Sequence, residues 1–103
     1  MITVFTTFRL PKPLTREEAR TIFLSTAPTY QGVAGLVRKC YVLSEDGTTA
    51  GGIYLWKSRA EAEAMHTDRW KNFVRDKYGA APLVTYFESP VVVDNVMQQI
   101  LSD

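Results

Sequence analysis

The stretch TAGGIYLWKSRAEAEAMH, residues 49–66, passes from a β-pattern to a helical one with few polar residues between. Gly51 and Gly52 interrupt a run that continues as Ile53, Tyr54, Leu55 and Trp56. Paired glycines in a strand point to a bulge, or to close approach by a ligand or a partner's aromatic side chain. Ser58, with Glu61 three residues on, reads as a capping box that opens a helix. That helix carries His66, the only histidine, and is expected to end near Gly79. Thr67-Asp68 marks a break point within it, because such a pair prefers caps to helix interiors.

Upstream, LVRKCYVLSE (36–45) alternates, and Asp46-Gly47 is a turn signal, so 36–45 and 48–57 pair as a hairpin. Residues 2–10 are rich in β-branched and aromatic side chains and read as a strand stopped by Pro11 and Pro13. Thr15 and Glu18 form a second capping signature, followed by the stripe Ala19, Ile22 and Phe23. Pro28 is expected to end this helix, leaving 29–35 as a loop over a cavity. LVTYFES (83–89) is the last full strand, and the tail adds a short strand or helical turn. The order is β-α-β-β-α-β: a ferredoxin-like α+β domain with an antiparallel four-stranded sheet, one domain over residues 1–103.

Two helices cover only one face of such a sheet. Yet the strands have apolar or aromatic residues at both parities, Val4 beside Phe5, Tyr54 beside Leu55, Tyr86 beside Phe87. An aromatic-rich second face needs a cover, and a second copy of the sheet is the simplest one. The sequence therefore predicts a homodimer through the sheet face.

Composition narrows the function classes. Twelve basic residues face eleven acidic ones, for a net charge of +1, which gives no electrostatic reason to expect nucleic acid. No apolar run approaches the roughly 20 residues that span a bilayer, and the N-terminus lacks a signal-peptide pattern. The expected location is cytoplasmic, with no membrane partner. Cys40 is the only cysteine and is read as a core filler. One histidine and one cysteine give no metal cluster, and the glycines form no dinucleotide fingerprint. No metal and no cofactor are expected.

The run AGGIYLWKSRAEAEAMHTDRWKNF, preceded by GLVRKCYVLSEDGTTAGGIYLW and completed by VTYFES and VVVDNV, resembles the small YdhR-like monooxygenase family. That family sits beside the antibiotic-biosynthesis monooxygenases among the dimeric α+β barrels. The resemblance implies two sheets facing each other in a dimer and oxygenation of a small aromatic molecule without a cofactor. Quinone-forming members resemble this chain with an Asn-x3-Trp pair on the second helix, where this sequence has His66-x3-Trp70. Haem-degrading members have an Asn on the first strand, where this sequence has Thr6 and Thr7.

His66 is accordingly the candidate base or hydrogen-bond partner, and Trp70 its neighbour at the reacting centre. Tyr54, Trp56 and Tyr86 should point the same way and wall a planar apolar ligand, with Gly52 giving room. Arg38 and Lys39 face opposite ways, and one of them pairs with Glu88 or neutralises an anionic ligand; Arg38 is the one placed at the substrate. Two other functions fit the same residues: a non-enzymatic dimeric small-molecule-binding or stress-response protein, and a barrel isomerase using His66 to move a proton.

Overall fold

A computed structural model describes residues 1–103. Its elements run β1 (Ile2–Arg9), α1 (Arg16–Tyr30), β2 (Leu36–Leu43), β3 (Thr49–Trp56), α2 (Arg59–Met65), α3 (Asp68–Tyr78), β4 (Leu83–Glu88), then a hairpin of β5 (Val91–Asp94) and β6 (Gln99–Ser102). The antiparallel sheet has the order β2-β3-β1-β4, the ferredoxin-like arrangement, with the helices on one face. No helix is long and apolar enough to cross a membrane.

Pleating sorts the side chains. Ile2, Val4, Thr6 and Phe8 of β1 turn toward the helices, beside Ala50, Tyr54 and Trp56 of β3, and all seven are buried. The opposite parity stays open: Phe5 and Phe87 stack edge-on at 5.4 Å and are about half exposed, and Leu83 is more exposed still. Cys40 pairs with Ile53 on this open face and is exposed, so it does not fill the core.

Local chemistry fixes the element ends. Thr15 and Glu18 close a reciprocal capping box at α1. At α2 the cap is one-sided: Ser58 Oγ accepts from the Glu61 N–H while donating to the Glu61 carboxylate. Pro28 does not end α1, which runs two residues further, to Tyr30. Tyr30 is held there by the indole N–H of Trp70, which donates to its hydroxyl at 3.0 Å. The helix break falls where Thr67-Asp68 suggested, with the Thr67 hydroxyl capping α3. The tail forms two short strands rather than one.

The paired glycines are approached by the chain's own atoms. A Cβ on Gly51 would sit 1.7 Å from the carbonyl oxygen of Thr6 on the neighbouring strand. A Cβ on Gly52 would meet Tyr54 Cε1 at 3.0 Å and Lys39 Cε at 3.1 Å. The bulge in the sheet lies elsewhere, between Leu36 and Arg38 of β2. Gly51→Ala is therefore expected to force β1 and β3 apart and cost about 1–3 kcal/mol, read as a lowered urea midpoint; an unchanged midpoint would show that the strands have slack.

Candidate active site between the sheet and the helices

β3 supplies the floor of the site. Thr6 and Gly52 lie opposite each other, and the Thr6 hydroxyl accepts from Gly52 N–H at 3.1 Å and donates to Gly52 O at 3.3 Å. With no side chain at Gly52, the Tyr54 ring and the Lys39 stem lie across the strand. Above them is a cavity of about 30 Å³ walled by Tyr30, Tyr41, Tyr54, Trp70, Phe73 and Tyr78, with Lys39 at its rim. Outside it, between α1 and β2, is an open cleft of about 1250 Å³. Phe23, Tyr30, Lys39 and Tyr41 border both spaces and so form the partition between them.

The expected site residues divide into three groups. Tyr54, Trp70 and Gly52 line the cavity. His66, Trp56 and Tyr86 do not; they form an aromatic layer beside it. His66 has ring centroids of Tyr54 and Trp70 at 4.6 Å, Trp56 at 5.6 Å and Tyr86 at 6.3 Å. Trp56 is fully buried, and Tyr86 is covered from outside by the Arg59 guanidinium at 4.5 Å. Tyr54, Trp56 and Tyr86 do share one face of the sheet, as their parity required.

Arg38 is the exception. It is exposed and borders only the outer cleft. The bulge explains this: Leu36 pairs with Trp56 and Lys39 with Tyr54, so both face the helices although three residues apart. Val37 is the extra residue that shifts the alternation, and Lys39 takes the inner place. Neither basic residue pairs with Glu88, which lies on β4 at the far edge of the sheet.

Tyr30 and Tyr41 are cavity residues that motif reasoning passed over, and Lys39, the alternative to Arg38 for an anionic ligand, takes the place expected of Arg38. The spacing Lys39-x-Tyr41 was a usable signal, since residues two apart on a strand share a face. Lys39 Nζ stands 3.4 Å from the centroid of Tyr30, 3.7 Å from that of Tyr41 and 4.8 Å from that of Tyr54. Burial pulls its pKa from 10.5 down to about 7. Burial likewise drives the Tyr54 phenol far above its ordinary range, with Tyr30 reinforcing the effect, and lifts Tyr78 to about 12. Tyr41 is raised too, chiefly by burial, against a hydrogen bond with Thr26.

His66 has its protonation pattern fixed by its partner. The Trp56 indole can only donate, and it donates to His66 Nε2 at 3.2 Å. The neutral ring therefore carries its proton on Nδ1, which is buried without a partner. Burial, then the nearby Lys39 and Lys71 charges, lower its pKa from 6.5 to about 4. As folded, His66 presents a donor, with its basic lone pair already engaged. Its linkage has a definite sign: between about pH 6.5 and 4 the unfolded chain binds the extra proton, so stability falls as pH drops through that window. The loss should reach about 3 kcal/mol. His66→Gln should flatten that part of the stability–pH curve, measured by urea unfolding; parallel curves would mean that His66 is not buried neutral.

Residues 4–78 match the family model described as putative mono-oxygenase ydhR. None of the curated proteins matches the chain significantly. Among solved structures, Rv0793 from Mycobacterium tuberculosis is 18% identical with a TM-score of 0.59, over 85% of this chain and 93% of that one. The ActVA-Orf6 monooxygenase of Streptomyces coelicolor, solved with Nanaomycin D, is 17% identical with a TM-score of 0.62, over 85% and 86%. These two similarities establish the shared fold, and the family match covers most of the chain from the first strand through the last helix. On that ground the chain belongs to the ydhR mono-oxygenase family.

Proposed function

We propose that the protein is a cofactor-independent monooxygenase of a small electron-rich aromatic, a phenol or an anthrone, acting in the cavity between sheet and helices. The observation that carries this reading is the cavity wall: the aromatic side chains of Tyr30, Tyr41, Tyr54, Trp70, Phe73 and Tyr78 converge over the glycine floor in a chain of this family. That a fold relative has been solved with Nanaomycin D supports ligand binding on this framework.

The reaction needs little from the protein besides a base, dryness and orientation. Loss of a proton makes the substrate an electron donor. One electron passes to O2, and recombination of the resulting pair forms a C–O bond as a peroxide. Protonation and O–O cleavage then release water and leave a carbonyl, so that CH2 plus O2 gives C=O plus H2O. The substrate carbon gives up four electrons, and dioxygen takes all four.

A cavity that holds a benzene ring has roughly 150 Å³, against about 30 Å³ here. The partition residues must therefore move for a ring to enter, and α1 is the yielding side. It fully buries only Ala19 and stands over the open cleft.

The open sheet face is proposed to pair with a second copy. Phe5, Leu83 and Phe87 are exposed on it, and Val91, Val93 and Ile100 of the terminal hairpin are exposed as well.

The function is tested by oxygen uptake with a panel of phenols and anthrones. Stoichiometric oxygen consumption with carbonyl product is the expected result. Ligand binding with no uptake would instead make the protein a small-molecule binder, and anaerobic proton exchange at carbon would make it an isomerase. The dimer is tested separately by native mass spectrometry at micromolar concentration, where Phe87→Glu is expected to shift a dimer toward monomer. A monomeric unmodified protein would rule out the paired sheets.

A further inference from the structure

The oxygenase reading leaves its base unassigned, since the basic nitrogen of His66 is engaged by Trp56. A second group stands closer to the cavity. Lys39 Nζ sits among the rings of Tyr30, Tyr41 and Tyr54, at the partition between the outer cleft and the inner cavity. No carboxylate reaches it: the ion pairs of the chain join Met1 with Asp103, Arg16 with Glu17, Arg59 with Glu63 and Arg75 with Asp76. The groups facing it are Tyr30 from α1, Tyr41 from its own strand and Tyr54 from β3, with His66 at the end of α2 near enough to feel its charge. None of them is an acid of carboxylate strength. An amine so placed has ring faces to hold its charged form and no anion to neutralise it.

We propose that Lys39 accepts the hydroxyl proton of the aromatic ligand, so that the site takes acidic phenols and enols and holds them as anions against the Lys39 ammonium. The bond broken is the ligand O–H and the bond formed is Nζ–H; no electron changes hands in this step. Burial brings the amine near neutrality at physiological pH, so a substantial fraction is free to accept. After the oxygen steps the same proton is available to the peroxide. Gly52 is a positioning residue in this scheme, because a Cβ there would press on the Lys39 stem at Cε.

The substrate class rests on the oxygenase reading, but ionisation of a bound phenol can be measured without oxygen. The experiment is an anaerobic titration of the protein with meta-nitrophenol, about one unit below the probe's own pKa, where much of Lys39 is still the free amine, following the long-wavelength phenolate band. Wild type is expected to develop the band on binding, and Lys39→Met to lose it, with affinity at least about tenfold weaker. Lys39→Met should also raise the thermal midpoint, because it removes an amine that folding desolvates, which separates loss of the band from loss of the fold. No band in wild type, or an equal band in Lys39→Met, would overturn the proposal. A Lys39-dependent band in a protein that consumes no oxygen with any phenol would uphold it and sink the oxygenase reading instead.

Discussion

The close pairing of β1 with β3 at Thr6 and the glycine pair is the constraint on which the site depends. The Thr6 hydroxyl serves both backbone groups of Gly52, and Gly51 leaves no space for even a methyl group beside the Thr6 carbonyl. Two strands meeting this closely create a bare patch in the middle of an otherwise side-chain-covered sheet. Tyr54 and Lys39 occupy the edges of that patch, and the helices are held off it by the rings of Tyr30 and Trp70. Filling the patch would abolish the cavity without altering the fold class.

Electrostatics around the patch run one way. Burial raises the phenols of Tyr41, Tyr54 and Tyr78, so they remain neutral donors, and lowers both His66 and Lys39. Every shift has desolvation as its largest cause, and none comes from a carboxylate within the site. A buried region of neutral donors and one amine lacks a negative charge of its own. The His66–Trp56 hydrogen bond belongs to the wall rather than to the cavity: it locks one tautomer and keeps the aromatic layer in register behind Tyr54.

Much of the framework was legible beforehand. Capping residues at Thr15 and Ser58, the Asp46-Gly47 turn and the alternation of the strands are local signals, and the elements formed where those signals lay. The break at Thr67 was readable for the same reason. What failed was reasoning that needed a distant partner. Pro28 ought to stop a helix, yet α1 continues to Tyr30, whose hydroxyl accepts a hydrogen bond from Trp70, forty residues away. Cys40 looked like core because its strand is apolar, but its parity faces the open side.

By itself, the sequence determined the order of the four sheet strands and the helices between them, and, because pleating has a fixed period of two, the aromatic loading of both sheet faces and the shared orientation of Tyr54, Trp56 and Tyr86. It did not determine which basic residue meets the cavity. A single extra residue at Val37 reverses the parity of β2 beyond it, so Lys39 points inward and Arg38 outward. Nor did it tell that His66 would be enclosed by four rings with Trp56 on its nitrogen, because that depends on where a broken helix sets its cap against the sheet. Bulges and helix breaks are settled by how layers pack, and only the assembled structure contains that packing.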